Sequence, residues 1–266
     1  MTARIALLLL SLALFPATAH AQLRDLCPER PGLDTPPCIV DKGHFQIEMG
    51  LVDVTRDQTA ERRSTTITLG DAELRYGLDN RTEIRASWAS YSWRRDLDRL
   101  GGGRNHISGI GDLSLGLKHA LLNPAGDALS LAIAPAITLP TGSHAVSDGS
   151  WSASFQLPFS YALSESLSLI ATPEIDAAAD GNGHGRHLAY GSAGGLSADL
   201  GEKWNASLEM QIIRDRDPDD PSTQALSSVS LAFKPAGTVM LDAGANLGLN
   251  RATPDAEVYI GISRRF

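Results

Sequence analysis

The chain has 266 residues with only two cysteines, 42% hydrophobic residues and a formal charge of −8. That acidic balance excludes the basic face on which nucleic-acid binding depends, so no nucleic-acid partner is expected. The length admits one large all-β domain or two ordinary domains, and periodicity has to decide between them.

Residues 1–21 read as a secretory signal peptide: Arg4 gives a positive start, residues 5–15 an apolar run, and Ala19-His20-Ala21 a small-residue cleavage site. The run is too short to cross a membrane as a helix, and no later window supplies the roughly 20 consecutive apolar residues that a spanning helix needs. Residues 22–42 form an N-terminal arm, expected on the periplasmic side, in which Cys27 and Cys38 flank Pro28, Pro31, Pro36 and Pro37. In an exported chain these cysteines are a disulfide candidate. As metal ligands they are poor, because two thiols without a nearby pair of histidines leave a tetrahedral site half-built.

From residue 43 to residue 266 the pattern is strand, turn, strand, with no composition shift that marks a linker. Strands are expected at about 43–55, 65–77, 81–92, 109–119, 129–140, 151–163, 167–176, 187–200, 204–213, 224–234, 239–249 and 255–266. In most of them one row of side chains is apolar and the alternate row polar, the phase being weak at 224–234, while 187–200 is built largely of Gly, Ala and Ser. The fourth shows it plainly: Leu113, Leu115 and Leu117 alternate with Asp112, Ser114, Gly116 and Lys118. The last does too, with Ala256, Val258, Ile260 and Ile262 facing away from Glu257, Tyr259, Gly261 and Ser263.

The connections alternate as well. Those after the second, sixth, eighth and tenth strands are tight, whereas 56–64, 93–108, 141–150, 177–186 and 214–223 are longer and polar. Short periplasmic turns and longer extracellular loops on an even number of strands describe a single antiparallel up-and-down transmembrane β-barrel of about twelve strands. A β-sandwich has no reason to separate its two ends so regularly. The polar row then faces a wet lumen: Glu48, Asp71, Glu73, Arg75, Glu83, Arg85, Asp112, Lys118, Glu209, Asp242 and Glu257. An arginine or lysine on the lipid face at mid-depth costs roughly 2–4 kcal/mol, which sets the orientation. Trp88, Trp93, Trp151, Tyr161 and Trp204, near strand ends, fit an interfacial girdle.

Several segments together resemble a bacterial outer-membrane family labelled as transporters or as meta-pathway phenol-degradation proteins. They are Arg30-Pro31-Gly32 ahead of residues 43–48, then residues 109–118, Leu139-Pro140-Thr141-Gly142, residues 241–244, 248–250 and 252–255, and the terminal Arg265-Phe266. The resemblance implies an outer-membrane barrel whose function is inferred from neighbouring catabolic pathways rather than from an active site. It also implies that Phe266 is a sorting signal read by the barrel-assembly machinery. Arg264, two residues back, stands where such signals more often carry an apolar side chain.

The expected function is passive transport of small solutes, aromatic or hydrophobic on the strength of the resemblance, with outer-membrane lipid and lipopolysaccharide as surroundings. The alternatives are a structural or adhesive barrel with a filled lumen, and a membrane-embedded hydrolase. No catalytic residue, cofactor or metal is assigned: no Gly-x-Ser-x-Gly turn occurs, and His184 and His187, beside Asp180 and Asn182, fall in a glycine-rich outer loop. The acidic run 215–220 reads as a solvated loop tip.

Overall fold

The computed structural model describes residues 23–266 except 127, 148 and 184. The signal segment and His184 therefore lie outside the described residues. The strands are β1 (Phe45–Gln58), β2 (Arg62–Gly77), β3 (Thr82–Asp98), β4 (Arg104–Gly109), β5 (Leu113–Leu122), β6 (Leu129–Leu139), β7 (Ser152–Gln156), β8 (Phe159–Ala162), β9 (Leu167–Ala179), β10 (Arg186–Asp199), β11 (Trp204–Asp215), β12 (Ser222–Ala236), β13 (Val239–Gly248) and β14 (Ala256–Arg265). They make a closed antiparallel barrel of twelve wall strands. Closure is between β14 and β1, from Gln46 opposite Arg265 to Arg56 opposite Ala256.

Two wall strands are each broken into two pieces. β4 and β5 both pair with β3, and the chain between them turns at Gly111, whose N–H reaches Ala89 O at 2.8 Å. β7 and β8 both run between β6 and β9, interrupted at Leu157-Pro158 because proline has no N–H to give to a ladder. Both breaks leave the order of the barrel intact.

The distribution of side chains is inverted relative to a water-soluble barrel. Gln46, Glu48, Arg75, Glu83, Lys118 and Glu209 are at most 1% exposed, whereas Leu115, Leu208, Val258 and Ile260 on the alternate rows are 41–63% exposed. Exposed aliphatic and aromatic surface spread over strands all round the barrel matches lipid rather than water. The protein is a transmembrane β-barrel.

The outer connections differ from the sequence reading. Much of what reads as loop at 56–64, 93–108, 177–186 and 214–223 continues as strand, leaving short connections after Gln58, Asp98, Ala179 and Asp215. Polar composition there reports water on both faces of a protruding hairpin, not loss of pairing. Among the described residues, 140–147 and 149–151 stay irregular, as does the short connection 249–255.

Parity also shifts. Leu51 is an extra residue against β14, so Asp53, not Val52, comes opposite Tyr259 and joins the inward row. On β2 the same shift falls at Gly70, whose φ of +66° suits glycine. Beyond it Leu69 and Tyr91 point outward while Thr68 and Ser92 meet inside at 3.2 Å.

Candidate functional site: a chain segment held inside the barrel

The sequence reading puts residues 22–42 on the periplasmic side. The structure corrects this: residues 24–41 are a loop inside the lumen whose two legs enter together at the short-turn end. Arg24 and Asp41 join the legs at that entrance, with Arg24 N–H donating to Asp41 Oδ2 at 3.2 Å and Arg265 Nη1 bonding both Arg24 O (2.8 Å) and Asp41 Oδ2 (3.1 Å). Deeper in, a Cys27–Cys38 disulfide with a Cα–Cα distance of 6.3 Å staples them.

A proline-rich segment with no ladder of its own must find acceptors for its buried N–H groups elsewhere. The barrel supplies carboxylates. Glu48 Oε2 accepts from Glu29 and Arg30 at 2.8 and 3.1 Å, Glu209 Oε2 from Leu33 and Asp34 at 2.8 Å each, and Glu83 Oε2 from Val40 at 2.7 Å. Thr172 Oγ1 accepts from Thr35 N–H at 2.8 Å and donates back to Thr35 O at 3.2 Å. Tyr259 Oη takes Gly32 N–H at 3.1 Å. Gly32 has φ +113°, and a β-carbon there would run into the Glu209 carboxylate, so this close approach requires glycine.

The bases serve the segment's carbonyls. Arg75 donates to Cys27 O at 2.8 Å and Cys38 O at 3.3 Å while pairing with Glu48 at 2.9 Å and Glu83 at 2.8 Å. Lys118 donates to Pro36 O at 2.9 Å and forms a tight ion pair with Glu29. Glu29 also lies 3.5 Å from both Arg75 and Arg85. Burial favours its neutral form, but Arg85, Lys118 and Arg75 outweigh that and hold the carboxyl down at about 2. Asp34 goes the other way: burial, then the charges of Glu209 and Glu29, push its carboxyl well above the usual range. Arg30 pairs with Asp242 at 3.1 Å and lies over the Tyr259 ring, 5.2 Å from its centre.

Of the sequence-assigned row, then, Glu48, Arg75, Glu83, Arg85, Lys118, Glu209 and Asp242 converge on the inserted segment, and Glu73 bonds Arg85 at 2.7 Å. Asp71 sits beside Arg30, and Glu257 accepts from Asn246 at 3.1 Å. Asp112 does not join them. It lies between β4 and β5 and accepts from Gly142 N–H (2.7 Å) and Ser147 Oγ (2.9 Å), bracing the irregular outer loop. Phe266 pairs through its backbone with Phe45 at the barrel seam. Asp53 was missed because its inward position depends on the Leu51 bulge; Gly50 beside it was the available signal. Glu29, Arg30 and Asp34 were missed because an irregular segment has no periodicity to read.

The fastening is uneven. Charged groups of β1, β2, β3, β5, β11 and β13 hold the segment, while the stretch of wall around Ser160, Ser168, Ser197 and Ala232 shows mostly small side chains. A space of about 250 Å³ remains there, lined by Ser160, Ser168, Ile170, Ser197, Ala232, Lys234 and Met240 of the wall against the segment's prolines, Asp25, Arg30 and Asp34.

Solved structures share this architecture. The COG4313 outer membrane channel from Pseudomonas putida F1 superposes with a TM-score of 0.69 at 14% identity, covering 94% of this chain and all of that one. The beta domain of the Bordetella autotransporter BrkA gives 0.57 at 12% identity over 85% of this chain and 100% of its own. The translocator domain of NalP from Neisseria meningitidis gives 0.55 at 13%, over 85% and 89%. These likenesses establish the barrel fold. No curated protein sequence matches. The profile of the family described as "Putative MetA-pathway of phenol degradation" matches residues 29–266, from the inserted segment to the last strand, and the chain belongs to that family.

Proposed function

We propose that the protein is a passive outer-membrane channel for small, weakly polar molecules, in which the inserted segment narrows the lumen to a side passage. One observation carries the reading. The segment is tied to the wall by ion pairs and charge-assisted bonds and leaves beside it about 250 Å³ of space, lined by prolines and small side chains together with Asp25, Arg30, Asp34 and Lys234. A cavity of about 150 Å³ is enough to hold benzene, so a single aromatic ring fits. The family's name supports aromatic compounds as the solute class, and a Pseudomonas putida channel shares the fold. Transport of this kind needs no catalytic residue. On this reading residues 1–21 direct export and Phe266 addresses the chain to the assembly machinery.

Proteoliposomes test it. A small aromatic such as phenol should enter faster through the purified barrel than through protein-free bilayer, and a sugar of similar size should enter poorly. Ala232→Trp with Ser168→Trp, which fills the side passage, should lower aromatic flux at least tenfold while the folded band on unboiled gels persists. Equal flux through the filled variant would refute the passage. No flux of any solute through the wild type would favour a structural barrel.

A further inference from the structure

The outer rim brings together side chains that the sequence keeps about thirty residues apart. His187, second residue of β10, lies with its side chain 6% exposed between the β9–β10 and β11–β12 turns. Its Nδ1 is 2.9 Å from Asp180 Oδ1 and 3.7 Å from Asp217 Oδ2, and these two carboxylates are themselves only 10% and 12% exposed. Its Nε2, on the opposite side of the ring, is 2.9 Å from Asp215 Oδ1 yet is buried without a hydrogen bond. The turns are tied by Gly181 N–H to Asp217 Oδ2 at 2.7 Å and Asn182 Nδ2 to Asp219 Oδ2 at 2.9 Å.

Charge does not balance in this pocket. Among the described residues three carboxylates face one imidazole, which offers at most a single positive charge. The neighbouring arginines are turned elsewhere: Arg186 lies over the Trp151 ring, Arg216 over Tyr190, and Arg214 bonds the Thr223 hydroxyl. Asp180, His187 and Asp217 can each offer one donor atom, all within 4.8 Å of one another. A bound ion at about 2.0–2.2 Å from each donor would draw them closer, and both aspartates sit on turns that allow it.

We propose that Asp180, His187 Nδ1 and Asp217 form a binding site for a borderline transition-metal dication of the Zn²⁺ class. Asp215 then holds the Nε2–H and fixes the ring, the outer-carboxylate role common around metal-bound histidines. Water completes the coordination. An imidazole in the donor set favours Zn²⁺, Ni²⁺ or Cu²⁺ over Ca²⁺ and Mg²⁺, which prefer oxygen alone. The ion would clamp the two outer turns and neutralise the rim.

The experiment titrates Zn²⁺, and Co²⁺ as a coloured surrogate, into the full-length folded barrel in detergent with Ca²⁺ in excess. One site should appear, with the d–d bands of Co²⁺ bound through nitrogen and oxygen. His187→Ala and Asp217→Asn should each weaken Zn²⁺ at least tenfold, and Asp215→Asn about 10–100-fold as an outer-carboxylate loss. Each variant must retain the folded band on unboiled gels, and either of the two ligand variants suffices if the other misfolds. Absence of a Co²⁺ spectrum in the wild type, Zn²⁺ binding unchanged in both ligand variants, or displacement by Ca²⁺ would overturn the site and leave His187 as a charged tie between turns.

Discussion

Arg75 is the residue on which most of the buried polar network depends. It is fully buried, pairs with Glu48 and Glu83, and donates to carbonyls on both legs of the inserted segment. Removing one partner of a buried ionic group is expensive because it strands the others, at about 3–5 kcal/mol. Arg75→Met should therefore lower the temperature at which the folded band is lost on unboiled gels, and should expose the segment to protease. Glu73→Gln should do much less, since Arg85 keeps Glu29. The inward placement of these groups was legible from alternation alone: Glu48, Arg75, Glu83, Lys118 and Glu209 share the polar parity. Their partners were not legible. The excess of acids over bases on that row makes sense only once the carboxylates are seen to accept backbone N–H groups, which leave no mark in a sequence. Above Leu51 and Gly70 even parity fails, because an extra residue moves every later side chain to the other face.

At the scale of the element, the inserted segment is a loop without secondary structure whose position depends on ionisation. Glu29 is held at about 2 against an ordinary 4.5, so its contribution is complete above pH 4.5 and disappears as the pH falls toward 2. Asp34 is raised, so its ionised form opposes docking, and this penalty sets in as the pH rises from its unperturbed value of 3.8 through its raised value. Docking should accordingly tighten on mild acidification from neutrality and loosen in strong acid. Asp34→Asn should remove the first effect and leave the second. Protease cleavage within residues 24–41, followed against pH in detergent, reads both; a cleavage rate that rises steadily as pH falls from neutrality would contradict the Asp34 assignment. The disulfide acts on the same element. Cys27→Ser with Cys38→Ser removes a closure of a short loop worth about 3 kcal/mol on chain-entropy grounds, so cleavage should quicken several-fold while the barrel wall stays folded. The proline and cysteine content suggested a stapled arm, but not that the arm turns inward. That outcome depends on acceptors contributed by strands far away in sequence.

For the whole molecule, the two solvents on the two sides of the wall make opposite demands on the same substitution. β14 presents both: Ile260 is 49% exposed to the outside, and Glu257 faces inward beside Asn246. An arginine at mid-depth on the lipid face costs about 2–4 kcal/mol, a large share of what holds such a barrel together. On the inner face a new guanidinium meets water and carboxylates, with Asp53 opposite Tyr259 two residues along the strand and Asp71 nearby. Ile260→Arg should therefore lower the unfolding midpoint in urea, measured on refolded protein in bilayers, by the equivalent of about 2–4 kcal/mol. Glu257→Arg should shift it by less than about 1 kcal/mol and change ion selectivity instead, since lumen substitutions act on permeation. Reversal potentials across a planar bilayer check the second half. If Glu257→Arg destabilised as much as Ile260→Arg, the inner face would be dry and tightly packed at that depth. The lumen would then be filled at that depth too, and the side passage beside the segment would have no way out.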